Sequence, residues 1–205
     1  MKKKSGVGNF ALITIAFLLF FLSLTVYHIY LRSAQSIKIT SNDKAILSVL
    51  AANVADRYEY ASCKVVALDT TGYTGYGDYN LPNDFREGCK GAYSLAQKRF
   101  EDALMKNFDA TKAGGNTYES NLPYLGTIVV NEFKIYNIRY NDVYENSGGE
   151  TTVYSNQVGI MTTPNGKTIS HSGVYADMTL TIKGLGPFGD FTMPMKEYVD
   201  IKENN

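Results

Sequence analysis

The chain has no tryptophan and only two cysteines, Cys63 and Cys89. Two isolated cysteines cannot build a structural zinc site by themselves. They leave two readings open: one disulfide, if the body lies in an oxidising compartment, or two buried thiols. Catalytic signatures are missing as well. There is no G-x-S-x-G nucleophile elbow, no phosphate loop closing in Gly-Lys-Ser/Thr and no H-E-x-x-H zinc pair. "GLGPFG" at 184–189 has the spacing of a dinucleotide loop. Strand-forming "FTMPM" follows it where a helix is needed to receive phosphate, so it reads as a hairpin turn. His171 has serine neighbours but no orienting partner in the sequence, and reads as a surface strand residue. Glu101 and Asp102 read as the solvated face of a helix. Asp78, Asn80 and Asp84 lack the spacing of a calcium loop and read as a solvated turn. The sequence therefore predicts no enzyme, no metal site and no cofactor.

Charge of either sign is missing from Ser5 through Leu31, where His28 is the one ionisable side chain. At about 1.5 Å per residue, "FALITIAFLLFFLSLTVYHIY" is long enough to cross a hydrocarbon core of about 30 Å. A cleaved signal has an apolar stretch of roughly 7–15 residues and a small-residue cleavage site. This run is longer and no A-x-A motif follows closely, so a retained transmembrane helix over 9–31 is expected. Residues 1–8, with Lys2, Lys3 and Lys4, form a basic cytoplasmic N-terminus in this reading, and the body is extracellular. Tyr27 and Tyr30 suit the far membrane interface. The bilayer is one expected partner. Removing the three N-terminal lysines from 20 basic residues leaves 17 against 20 acidic ones. That balance is wrong for a nucleic-acid binder, and none is expected as a partner.

Glycine and proline are absent between Asn9 and Thr71. Ile46, Val49, Leu50 and Val54 recur at helical spacing, with Ser41 or Asn42 placed to cap and Asp43 in the first turn. This predicts an amphipathic helical stalk over 32–62. It either continues the anchor unbroken or bends near Ser33–Thr40. "TTGYTGYGDYNLPND" at 70–84 is a loop between the cysteines. A disulfide would tie its base and contribute about 3 kcal/mol. Tyr73, Tyr76 and Tyr79 recur in it every third residue, either as a contact surface or as ordinary packing.

A further helix is predicted over "AYSLAQKRFEDALMKNF", with Ala92, Leu95, Ala96, Phe100, Ala103, Leu104 and Phe108 on its apolar face. From Thr127 the pattern turns to strands. "TIVVNEFKIYNIRY" is one, "SGGE" is a turn, "TTVYSNQVGIMTT" leads into a hairpin at Asn165-Gly166, and "VYADMTLTI" returns with Val174, Ala176, Met178, Leu180 and Ile182 on one face. "FTMPMKEYVDI" is a last strand, which Pro194 places at an edge or a bulge. The predicted fold is α+β. A transmembrane helix continues into an amphipathic one, and a pilin-like head over 63–205 packs one further helix on an antiparallel β-meander.

"GVGNFAL" at 6–12, opening the apolar helix, resembles the start of TadE-like pilus-assembly proteins of tight-adherence systems. "AILSVLAANVAD" at 45–56 resembles the alanine-rich helix that follows their anchor. The likeness covers about residues 5–60. It implies a minor pseudopilin-like or TadE-like structural subunit of a surface pilus or secretion apparatus, packed with other subunits through its N-terminal helix. Gly6 and Gly8 become the candidate processing positions. Asn9 stands where the family carries an acidic residue, and an asparagine cannot supply that charge to a neighbouring amine. The alternative expectation is an independently anchored extracellular module for binding or adhesion, with the tyrosine loop as its contact surface.

Overall fold

A computed structural model describes residues 5–53, 82–184 and 189–200, with side chains described over 9–53, 93–184 and 189–200. The chain divides into two units at Thr40/Ser41. Helix α1, Ser5–Ala52, runs without interruption through Ser33–Thr40, so the anchor continues into the stalk as one helix. In the first unit the large apolar side chains from Phe10 to Leu31 are exposed, and the segment is long and apolar enough to span a bilayer. Thr14, Ser23 and Thr25 donate their hydroxyls to carbonyls three or four residues back, which hides those groups without breaking the helix.

The last turns of α1 belong to the second unit and pack by a different rule. Ser41, Ala45, Ser48, Val49, Ala52 and Asn53 are buried, whereas Leu47 and Leu50 are exposed. The expected face through Ile46 and Leu50 is therefore rotated, because small side chains let the helix backbone come close to what it packs on. Ser41 is buried inside the helix and caps nothing. Lys44 Nζ donates to the Asn107 carbonyl at 2.6 Å, Asn107 Nδ2 donates to Ser48 Oγ at 3.0 Å, and Asn53 Nδ2 donates to the Val199 carbonyl at 2.7 Å.

Helix α2 runs Pro82–Phe108, ten residues further toward the N-terminus than the apolar periodicity reaches. Proline is suited to the first helical position, where its missing N–H costs nothing. Ala96, Phe100, Leu104 and Phe108 are buried as expected; Leu95 is exposed. Asp109, in the left-handed region at φ 45°, turns the chain out of the helix.

Seven antiparallel strands follow: β1 (Ala110–Gly114), β2 (Thr117–Ser120), β3 (Leu125–Arg139), β4 (Asp142–Ser147), β5 (Glu150–Tyr154), β6 (Gly173–Ile182) and β7 (Phe191–Asp200). The first five form a meander. The expected simple meander is broken by β6, which returns to pair with β3 and then carries β7. β3 is long enough to hold two partners on one edge. Its residues 127–129 pair with β2 and 134–139 with β4, while β6 runs along the other edge from Leu125 to Tyr136. A bulge between Val130 and Glu132 bends it.

Val174, Ala176, Met178, Leu180 and Ile182 share one buried face, as the alternation predicts. Phe133, opposite Ala176, stacks on Phe100 of α2 at 5.0 Å, so this is the face the helix covers. The other face carries a second apolar cluster of Tyr136, Val143, Ile169, Tyr175 and Tyr198. Residues 155–172 strap across it. The Asn165-Gly166 turn forms, with Gly166 N–H on the Thr163 carbonyl at 2.8 Å, but only one bridge, Thr162 to Thr168, flanks it. The expected hairpin is short: the Thr163 N–H bonds the Lys167 carbonyl and the Ile169 N–H the Met161 carbonyl, each at 2.9 Å, with no extended strand on either side. Asn165 Nδ2 and Lys167 Nζ donate to the carbonyls of Lys196 and Tyr198 on the outer edge of β7. His171 lies at the strap's end, its carbonyl accepting the Tyr198 hydroxyl and its Nδ1 3.5 Å from Asp200. One turn meets its chemistry directly: Gly148 and Gly149, at φ 62° and 86°, make the two-residue β4–β5 turn. Strands β6 and β7 pair as a hairpin, and the expected turn residues 185–188 between them lie outside the described residues.

Gly173 holds the second cluster together by lacking a side chain. A Cβ there would lie 2.7 Å from Tyr198 Cε2 and from the Val199 carbonyl oxygen. Gly173→Ala is expected to displace the Tyr198 ring and cost about 1–3 kcal/mol, lowering Tm by about 2–4 °C per kcal/mol. Circular-dichroism melting of the full chain in detergent checks this. A melting curve that does not move would mean that the ring does not rest on the glycine.

Candidate functional site

The two-partner arrangement of β3 leaves a notch. On the shared edge, pairing with β2 stops at Val129, opposite the first β2 residue Thr117, and pairing with β4 starts at Lys134, opposite the last β4 residue Ser147. The Val130 N–H still reaches the Asn116 carbonyl at 2.9 Å, so the unpaired stretch is 131–133. Helix α2 lies over this gap with Tyr93, Gln97, Phe100 and Glu101 at positions i, i+4, i+7 and i+8, one helical face. Together they enclose a cleft of about 320 Å³. Its rim is completed by Asn116 and Tyr118 from the β1–β2 side and by Ser147 and Gly148 from the β4–β5 turn.

Tyr93 crosses the gap. Its hydroxyl donates to the Phe133 carbonyl at 3.4 Å and accepts the Gly148 N–H, and its ring meets Phe133 edge-on at 5.6 Å. Burial raises its pKa, partly offset by the Gly148 N–H. At the other end Glu101 accepts from Lys112 at 2.8 Å and from Gln97 at 3.3 Å. Lys112 also lies 5.6 Å over the Tyr118 ring. The Tyr118 hydroxyl is pushed up to about 12, by burial first and by the Glu101 charge second. Glu132 is held by Lys134 at 3.0 Å, and the same lysine reaches Glu145 at 3.3 Å. Each carboxylate here thus has a lysine beside it, although Glu132 and Glu145 share one and leave the cleft a net negative charge. A tyrosine with a raised pKa is poorly suited to act as a base at neutral pH.

Among the sequence-predicted site residues, Gly6 and Gly8 lie within α1. Cys63, Tyr73, Tyr76, Tyr79, Asp78 and Asn80 lie outside the described residues, as do the side chains of Cys89 and Asp84 within α2. The disulfide and the tyrosine contact surface therefore have no structural account. Glu101 departs from its expected role: it is part of the cleft's ion pair, while Asp102 is solvated. The strand tyrosines divide. Tyr136 and Tyr144 are buried, whereas Tyr140, at a left-handed φ of 55° in the β3–β4 turn, is 83% exposed. The cleft was not foreseen. Its helix stripe was readable in the sequence, but Asn116 and Ser147 join it only through strand pairing.

No protein family, curated protein or solved structure matches the chain. The resemblance over residues 5–60 accordingly rests on those residues alone.

Two outcomes follow from this geometry. Tyr93→Phe keeps the ring and removes the bridging hydroxyl. It is expected to cost about 1 kcal/mol and to speed hydrogen exchange at the Gly148 amide; unchanged exchange would mean the bridge is not made. Tyr118 favours its neutral form in the folded state. Its contribution to stability is complete below the ordinary value of 10.0 and lost as pH rises through about 12. Tyrosinate absorbance should show Tyr118 ionising later in the folded protein than in Tyr118→Phe difference spectra of the unfolded chain.

Proposed function

We propose that this chain is a membrane-anchored structural subunit of a cell-surface assembly, of the pseudopilin-like or TadE-like kind. The single observation that carries the reading is α1. One uninterrupted helix has an apolar, exposed stretch suited to lipid or to other anchors, and then a small-residue face buried in an α+β unit. The body is extracellular and non-enzymatic in this proposal, and its neighbours are other subunits met through the N-terminal helix. Loss of the acidic residue at position 9 fits a minor component better than a major one, since a buried charge pair with a neighbour's amine cannot form.

A second reading has its own support in the cleft. An anchored module whose head binds a ligand needs a concave site with hydrogen-bonding groups, and the notch beside β3 is one.

The two readings separate by fractionation and intact mass of the protein from its own cells. A structural subunit is expected to leave with sheared surface filaments. A mass beginning after Gly6 or Gly8 would add prepilin-type processing. Complete retention in washed membranes, with the whole chain's mass, would remove the filament reading and leave the anchored module.

A further inference from the structure

Resting on the anchored-module reading, we infer that the notch beside β3 binds a neutral, hydroxyl-rich ligand: a saccharide unit of a surface glycan. The argument is by what the lining has left to offer. An apolar ligand finds no slot, because Phe100 and Phe133 stack on each other and are almost fully buried. It would also strand the polar rim, at the cost of each hydrogen bond to water that the rim gave up. An anion finds no unpaired cation. Lys112 is held by Glu101 and Lys134 by Glu132 and Glu145. A cation finds each carboxylate already bonded to a lysine, although Glu132 and Glu145 share Lys134 and leave one negative charge over, which the cationic comparison below tests.

What remains is neutral and bidirectional. Gln97 donates to Glu101 and keeps its amide oxygen. Asn116 is exposed at the rim, and among the described residues nothing bonds its side chain or the Ser147 hydroxyl. Amides and hydroxyls both donate and accept, which is what a sugar hydroxyl requires of its neighbours. The half-buried Tyr93 ring gives one flat apolar wall, held in place by its bonds across the gap. The volume, about 320 Å³, sits at the low end of ligand pockets. It suits a chain end or a branch and excludes the middle of a long polymer.

The test uses the full chain in lipid nanodiscs and immobilised chito-, malto- and galacto-oligosaccharides as probes. Polygalacturonate and oligolysine serve as the anionic and cationic comparisons. At least one neutral probe is expected to bind. Asn116→Ala and Gln97→Ala should each weaken it roughly three- to tenfold, the effect of one lost neutral hydrogen bond. Thr192→Ala, exposed on β7, should leave it unchanged. Binding of neutral probes that ignores both cleft substitutions would overturn the assignment. Binding of a charged probe alone, lost with Asn116→Ala, would overturn the neutral ligand class and keep the anchored module. Failure of every probe would overturn the saccharide ligand, while the module reading stands or falls by the fractionation and intact mass above.

Discussion

Fifteen consecutive residues in one strand set the terms for the whole globular unit. Each residue of β3 carries a donor and an acceptor that burial makes expensive to leave unpaired. One edge is served along most of its length by β6. The other is served in two pieces, because β2 is only four residues long and β4 arrives from the opposite end. The bulge at 130–132 falls on the stretch where the two pieces fail to meet. The strand bends there, α2 covers the bend, and the Tyr93 hydroxyl stands in for the missing backbone partner. The cleft is the space left by a pairing problem solved with a side chain.

Helix α1 solves a different problem with one hydrogen-bonded ladder in two settings. Across its apolar stretch it shows large side chains on all sides, the composition a helix needs where the surroundings are themselves apolar. From Ser41 onward the buried positions are Ser, Ala, Ser, Val, Ala and Asn. The change is one of size as well as polarity. Small residues allow the close approach at which Asn53 reaches the Val199 carbonyl and Lys44 reaches the last turn of α2.

This explains which parts of the fold could be read from residues. The β6 face was legible because a strand buried on one side repeats every second residue, and Val174 to Ile182 do so without a fault. Pro194 announced the edge, and Gly148-Gly149 the turn, through backbone chemistry that does not depend on context. The α1 face was misjudged because hydrophobicity ranks Ile46 and Leu50 above Ala45 and Ser48, while the packing ranks closeness first. Strands β1 and β2 left no pattern to read. "ATKAG" and "TYES" are too short and too exposed to alternate clearly. The hairpin at Asn165-Gly166 was correct as a turn, and its ladder is short, one bridge with backbone bonds at Thr163 and Ile169.

The treatment of unpaired backbone at other edges gives the cleft its meaning. The outer edge of β7 is closed by Pro194, which has no N–H to offer, and by the strap's donors on Lys196 and Tyr198. β1 is short, carries Lys112 and is interrupted by a bulge before Gly114, three features that discourage another strand from joining. The gap in β3 is closed on its backbone by Tyr93, yet the ring of side chains around it is not spent internally. Asn116 and Ser147 keep donors and acceptors there, while each carboxylate beside them already has a lysine, Glu132 and Glu145 sharing one. In the proposed anchored-module reading, those neutral groups around one concave opening are what a ligand would meet.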